Sequence, residues 1–250
     1  MKSIWITGAS SGIGKALAIK FANEGWQVAA SARREDLLNK IAESNKNISS
    51  FPLDVTDGEK CIEIFEQIKN KLQSIDICFF STGTWDPKKE KDIDVDQMKK
   101  VMNVNFFGTL NCIKAVEKYF REKNSGHISI VSSIAGYRGL PNSTGYGASK
   151  AALNNLAESL YFDFGRNNVR VSLVSPGFIK TQMTDKNQFK MHFLKTAEYA
   201  ADKIYKGLIN GSSFEIDFPK ELTLILKLLK ILPNRLYLYI IKKLTKLQKL

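Results

Sequence analysis

Two side chains able to move a proton stand four residues apart in Gly145-Tyr146-Gly147-Ala148-Ser149-Lys150. At a helix start that spacing puts both on one face, so Lys150 can bring positive charge near the Tyr146 phenol. A free phenol titrates near pH ~10 and is a poor base at neutral pH, and an adjacent cation lowers that by roughly 1–3 units. A phenol tuned in this way can give a proton to a carbonyl oxygen or take one from an alcohol. Taken alone, a Tyr-x-x-x-Lys pair is more often plain helix surface. Here Ser132-Ser133 closes an apolar run, and Ser133 precedes Tyr146 by thirteen residues.

A second cluster could hold an anion. Thr7-Gly8-Ala9-Ser10-Ser11-Gly12-Ile13-Gly14 follows the run Ser3-Ile4-Trp5-Ile6-Thr7 and leads into Lys15-Ala16-Leu17-Ala18-Ile19, a helix start. Glycine lets the chain turn sharply and lets a pyrophosphate approach without a Cβ collision. The amides and dipole of the helix start then favour the anion, which marks Gly8, Ser10, Ser11, Gly12, Ile13 and Gly14 as binding candidates. The alternative is a tight strand-to-helix turn with no ligand. The next strand candidate ends in Ser31-Ala32-Arg33-Arg34. A carboxylate there would grip a ribose 2′-hydroxyl and mark NAD. Two guanidinium groups suit a 2′-phosphate instead, through charge-assisted bonds, with Arg33 expected as main contact and Arg34 as helper. The competing reading is a solvated pair at a helix entry.

These residues need a scaffold, and the hydrophobic pattern supplies one. Strands are expected over 3–7, 27–31, 48–52, 75–80, 127–132, 169–174 and 213–217. Helices are expected over 12–24, 35–44, 57–73, 94–101, 105–123, 147–165 and 197–209. The alternation argues for a Rossmann-like, doubly wound α/β fold with a parallel sheet of about seven strands. Ile75 to Phe80 and Ile128 to Val131 are almost wholly apolar, as expected for strands covered on both faces.

Length and composition agree. The 250 residues fit one α/β domain. Cys61, Cys78 and Cys112 show no CxxC pairing, and His127 and His192 stand far apart, so no metal site is expected. Free thiols suit a reducing compartment. The chain runs straight into a strand with no signal-peptide pattern, and no run of about 18 uncharged apolar residues is present, which points to the cytoplasm. The net charge of +12 carries no aromatic-interleaved basic stripe or recognition-helix signature, so nucleic acid is not the expected partner.

Taken in order and spacing, Thr7-Gly8-x-x-x-Gly12-x-Gly14, Asn105, Ser133, Tyr146, Lys150 and Pro176-Gly177 resemble the short-chain dehydrogenases/reductases. The resemblance covers residues 1 to about 217. It implies that Tyr146 is the general acid/base, that Lys150 binds the nicotinamide ribose and tunes Tyr146, and that Ser133 hydrogen-bonds the substrate oxygen. It implies that Asn105 holds a water of the proton relay, the alternative being a helix-start asparagine. Asp54-Val55 resembles the adenine-binding pair, although Asp54 could equally cap the following turn. Pro176-Gly177-Phe178-Ile179-Lys180-Thr181 resembles the segment that contacts the carboxamide, with Ile179 and Thr181 among its contacts. One departure stands out: the family usually has Asn-Asn-Ala-Gly after the fourth strand, and this chain has Phe80-Ser81-Thr82-Gly83. Gly83 still allows close approach to a cofactor. The bonds that tie strand 4 to its neighbours lose their usual donors. The stretch Ser213 to Pro219 also lacks the glycine-rich ending of many acyl-carrier-protein ketoreductases.

The last 31 residues have a character of their own. Within 220–250, leucines and isoleucines alternate with Lys220, Lys227, Lys230, Arg235, Lys242, Lys243, Lys246 and Lys249, and Pro233 is expected to separate two helices. Leu236, Ile240, Leu244 and Leu247 recur at helical spacing. Two readings compete: a helical hairpin packed on its own domain or a second subunit, and a peripheral anchor on a membrane's inner face. Between them, Gln182 to Leu194 carries Met183, Phe189, Met191 and Phe193, suited to a lid over a lipophilic substrate or to ordinary packing.

The expectation is therefore a catalytic domain over 1–218 with a basic amphipathic extension over 219–250. The reaction is hydride transfer between NADP(H) and a carbonyl or secondary alcohol, with a small-molecule substrate and, from the family, a homo-oligomer. The rivals are a non-catalytic nucleotide-binding protein and a membrane-associated interaction protein.

Overall fold

A computed structural model describes residues 1–86, 93–187 and 191–245. The apolar runs form seven strands: β1 (Ser3–Thr7), β2 (Gln27–Ala32), β3 (Ile48–Pro52), β4 (Ile77–Phe80), β5 (Gly126–Val131), β6 (Val169–Pro176) and β7 (Glu215–Phe218). All six pairings are parallel, and the order across the sheet is β3-β2-β1-β4-β5-β6-β7. Parallel neighbours need crossovers, and these are helices: α1 (Gly12–Asn23), α2 (Glu35–Ser44), α3 (Gly58–Leu72), α4 (Val95–Met102), α5 (Gly108–Lys123), α6 (Thr144–Gly165) and α7 (Ala197–Asn210).

Strand alternation divides the core in two. Ile4 and Ile6 of β1 pack with Leu17 and Phe21 of α1 and Ile204 and Leu208 of α7. Trp5, between them, faces the other way onto Phe65 of α3 and Phe80 of β4. Each large side chain taken fully out of water in these layers stabilises the fold by about 1.5–3 kcal/mol. Helix starts are fixed locally: Asp57 accepts from Lys60 N at 2.9 Å, and Asp94 accepts from Gln97 N at 2.9 Å.

The observed elements follow the expected ones closely, with instructive differences. The helix expected from residue 105 begins at Gly108, because Asn103–Phe107 form a π-helical turn that joins α4 to α5. The helix expected from 147 begins at Thr144, which puts Tyr146 inside its first turn. β6 runs two residues further than expected, to Pro176.

The strand order reverses between β1 and β4, and in such sheets the crevice beyond the strand ends at that switch is where ligands bind. The glycine turn after β1, Gly83 after β4, Ser133 after β5 and Pro176 at the end of β6 all fall on this edge.

The extension forms α8 (Lys220–Lys230) and α9 (Asn234–Leu244), with Pro233 between them. One side of the pair packs on the main domain through buried Thr223, Tyr237 and Ile241. Lys227 Nζ meets Glu215 Oε2 at 2.7 Å, and Arg138 Nη1 donates to the carbonyls of Leu229, Lys230 and Leu232 at 3.2, 3.1 and 2.8 Å. Lys246, Leu247 and Lys249 lie outside the described residues. Among the described residues, no helix is long and apolar enough to cross a membrane.

Candidate active site

The glycine turn is packed tightly enough to exclude side chains. Gly8 has φ of +69°, and a Cβ there would meet the Ser81 backbone at 3.0 Å. A Cβ on Gly14 would lie 2.4 Å from the Gly8 carbonyl oxygen. Ser11 occupies the N-cap of α1, yet its side chain caps no amide, and the first turn carries no acidic residue. The helix start thus keeps free donors and an uncompensated positive dipole end, which fits a pyrophosphate.

Arg34 lies across this turn. Its Nη2 donates to Ser10 Oγ at 3.0 Å and to Ser11 Oγ at 2.8 Å, and its Nη1 donates to Gln182 Oε1 at 3.3 Å. Arg33 points elsewhere, with Nη1 3.9 Å from Asp54 Oδ2 in an exposed pair. Of the two arginines, Arg34 thus lies nearer the turn and Arg33 nearer Asp54. Asp54 does cap a turn, with Oδ1 accepting from Thr56 N at 3.0 Å and Thr56 Oγ1 at 2.8 Å. Val55 is buried, and its Cγ2 would lie 2.5 Å from a Cβ on Gly108.

The departure after β4 is repaired by Ser81. Its Oγ donates to the Thr7 carbonyl at 2.6 Å, and its N–H donates to Thr7 Oγ1 at 3.2 Å. These bonds tie β4 to β1 without the asparagines.

Asn105 sits in the π-helical turn, fully buried. Its Oδ1 accepts from Thr84 N at 2.7 Å, and its Nδ2 donates to Thr84 O at 3.1 Å and Ser149 Oγ at 2.9 Å. A Cβ on Gly83 would stand 3.6 Å from Asn105 Oδ1 and 3.7 Å from Lys150 Nζ, so three separate elements converge here. A π turn inside a longer helix often marks a functional position.

Ser133 caps a short helical turn, its Oγ accepting from Ala135 N at 3.2 Å, and it shares a hydrogen bond with the Tyr146 phenol. Lys150 Nζ donates to the Val131 carbonyl at 2.8 Å and stands 5.7 Å from the Tyr146 ring centroid. Burial pushes the Tyr146 pKa above its ordinary value, with the Ser133 bond opposing the push. Burial also pulls Lys150 down, to about 8. The expected lowering of Tyr146 by Lys150 does not show here: the ammonium is turned to the Val131 carbonyl, and burial sets the direction of the shift against the Ser133 bond.

Around these groups lies a cleft that opens to solvent. Gly8, Ser11, Ile13 and Gly14 form its β1 side, Gly83 its floor beyond β4, and Ser133, Tyr146 and Lys150 its β5–α6 side. Pro176, Gly177, Ile179 and Thr181 complete it. Ser10, Gly12, Arg33, Arg34, Asp54, Val55 and Asn105 do not line it; Asn105 stands behind Gly83, and Arg34 holds the outer side of the turn. The segment beyond β6 is pinched at its base, where Lys180 N donates to Lys195 O at 2.8 Å and Lys195 N to Phe178 O at 3.0 Å. From it, Met183 and Thr184 reach the cleft, while Phe193 is exposed. Phe189 lies outside the described residues.

Trp85 went unnoticed in the sequence. Its ring lies 5.4 Å from that of Tyr146, tilted by 33°, and its buried Nε1 has no hydrogen-bond partner among the described residues. Nothing in its sequence neighbourhood signals a role, because only the fold brings it against Tyr146.

Comparison with known proteins places this geometry. The family model described as short chain dehydrogenase matches residues 2–191. An uncharacterized oxidoreductase of Myxococcus xanthus is 32% identical over 236 residues, covering 93% of each chain. Among solved structures, ElxO with NADP bound aligns at a TM-score of 0.76 and 28% identity, over 86% of this chain and 97% of its own. A short-chain dehydrogenase from Streptomyces avermitilis shares the fold at a TM-score of 0.83 and 21% identity, over 100% of this chain and 99% of its own. The chain belongs to the short-chain dehydrogenase family of oxidoreductases.

Proposed function

We propose that the protein is an NADP(H)-dependent reductase that converts a ketone or aldehyde to an alcohol, reversibly, in the cytoplasm. The observation that carries this reading is the meeting of Ser133, Tyr146 and Lys150 with the glycine turn in one cleft. The ElxO structure, which holds NADP, supports the choice of cofactor. So does Arg34, a guanidinium fixed beside two serine hydroxyls at the outer side of the turn with no carboxylate at the end of β2.

The nicotinamide, when bound, supplies or takes the hydride. The chain's own groups do the rest. The start of α1 and the turn hold the pyrophosphate, and Arg34 meets the 2′-phosphate. Ser133 holds the substrate oxygen, and Tyr146 gives it a proton as negative charge develops there. The upward push on the phenol keeps it protonated at neutral pH, as an acid must be. Lys150, with a pKa near 8, stays largely cationic at pH 7 and holds the nicotinamide ribose. Asn105 fixes Thr84 and Ser149, leaving one Oδ1 lone pair for a relay water. Asp54 and Val55 form the adenine side, and Ile179 and Thr181 the carboxamide side. Exposed Tyr161 and Phe162 on α6 offer a face for a homo-oligomer.

Turnover of NADPH by the purified protein over a panel of carbonyls tests the reaction. Cofactor titration tests the cofactor. Arg34→Ala is expected to weaken NADPH by roughly 10–100-fold and NADH little, since a charge-assisted contact contributes about 1.5–3 kcal/mol. Arg33→Ala is expected to do less. Equal losses for NADPH and NADH in Arg34→Ala would exclude a 2′-phosphate contact.

A further inference from the structure

The paired helices α8 and α9 bury one side on the main domain and leave the other bare. On α8 and at its C-cap, Leu224, Ile225, Leu228 and Ile231 are exposed, Leu228 at 66% and Ile231 at 78%. On α9, Leu236, Leu238, Tyr239 and Leu244 are exposed as well. Side chains of this size on a surface cost solvation unless something covers them. The surrounding charge says what. Residues 220–250 hold eight lysines and arginines against a single acidic residue, Glu221. Two of the lysines, Lys220 and Lys227, are paired with Asp217 and Glu215 of β7. Lys230, Arg235, Lys242 and Lys243 are exposed beside the apolar residues, and no acidic side chain of α9 opposes them. A second copy of this face would set cations against cations. A surface apolar within and anionic at its boundary matches both features at once.

We propose that the bare face of α8 and α9 docks peripherally on an anionic lipid surface. The helices are held for this purpose by the domain itself. Arg138 stacks on the Tyr237 ring at 4.0 Å, caps the end of α8 through three carbonyls and also bonds to Asn234. Tyr237 OH donates to the Gly139 carbonyl at 2.8 Å. The apolar residues are thus presented on a fixed scaffold, which limits the ordering cost of binding.

The same contacts give the docking a direction. Arg138 and Gly139 lie five and six residues beyond Ser133. At the other end, Gly177 N donates to Phe218 O at 2.7 Å, and Pro219 and Leu222 close over Gly177, where a Cβ would meet both at 3.0 Å. The helices therefore adjoin two walls of the cleft on the same edge of the sheet. Resting on the catalytic reading above, lipid docking holds that edge beside the bilayer, where carbonyls dissolved in lipid are concentrated.

Co-sedimentation of the full chain with vesicles tests the docking. Binding is expected to vesicles containing one-third phosphatidylglycerol in phosphatidylcholine, to be lost on pure phosphatidylcholine and to weaken as salt rises. Each basic residue near an anionic surface strengthens binding roughly fivefold. Lys242→Gln with Lys243→Gln is therefore expected to weaken it about 25-fold, and Leu228→Asp to weaken it at unchanged net fold, checked by circular dichroism. Absence of binding to the anionic vesicles, or equal binding by the charge variant, overturns the proposal. So does a dimer in sedimentation equilibrium that Leu228→Asp dissociates while vesicles are ignored. Turnover tests the direction: the charge variant is expected to slow reduction of a long-chain ketone offered in vesicles and to leave that of a water-soluble ketone unchanged. Equal rates in the two forms overturn the direction alone. Failure of the catalytic reading would appear separately, as no turnover of either ketone with vesicle binding intact.

Discussion

At Tyr146 two influences oppose each other, and burial is the stronger. The result is a phenol that keeps its proton, beside a Ser133 hydroxyl and under the ring of Trp85. Among the described residues the indole N–H of Trp85 meets no acceptor, and an orphaned buried donor costs about 1–3 kcal/mol. A substrate with a second acceptor near its carbonyl would relieve it. Trp85→Phe keeps a ring against Tyr146 and removes the donor. Its expected outcome is a carbonyl KM raised roughly 5–10-fold, kcat within about twofold, and a melting temperature unchanged or higher. An unchanged KM would show that the indole N–H does not face substrate. Tyr146 and Lys150 were legible in the sequence because helical spacing puts them on one face and the glycine turn, Asn105 and Ser133 precede them in the family's order. The placement of Arg34 against the glycine turn was not, because it depends on how the chain leaves β2 and enters α2. Trp85 was not legible at all, because its partner is 61 residues away.

Among the elements, the seven strands were legible as short apolar runs, and the helices by their periodicity. The π-helical turn at Asn103–Phe107 was not, since its one extra residue leaves the local pattern of apolar residues nearly unchanged. The repair by Ser81 could not be read either: a serine and a threonine meet there only through the β1–β4 register. The pairing of β5 with β6 carries its own pH dependence. His127 is buried, with Nε2 2.8 Å from Ser172 Oγ. Burial, assisted by Arg170, pulls its pKa from 6.5 to about 3. Between those values the unfolded chain binds the proton and the folded chain does not. The neutral ring therefore supports the fold fully above pH 6.5, and that support is lost as pH falls toward 3. At pH 4.5 the loss is on the order of 2–3 kcal/mol. Urea unfolding at pH 7 and pH 4.5 is expected to show a smaller drop for His127→Gln than for the natural chain. Equal drops would mean that His127 takes up its proton in the folded state.

At the scale of the whole molecule, one edge of one parallel sheet gathers the residues that line the cleft. The switch between β1 and β4 opens the crevice, the glycine turn and α1 face it, and β5, α6 and β6 bring Ser133, Tyr146, Lys150 and the far wall. The extension that follows β7 returns to that same edge and fastens to the loop after Ser133. The basic, apolar character of α8 and α9 was evident in the sequence. Their attachment through Arg138 was not, since it joins positions about ninety residues apart. On the proposed reading this edge is a reductase site with Tyr146 as its proton donor. Tyr146→Phe keeps the ring and removes only the transferable proton. The direct measurement is NADPH consumption against a carbonyl substrate, paired with NADPH titration of the same variant. The expected result is turnover reduced by roughly 10²–10⁴-fold with NADPH affinity within about twofold of the natural chain. Wild-type turnover in the variant would contradict it.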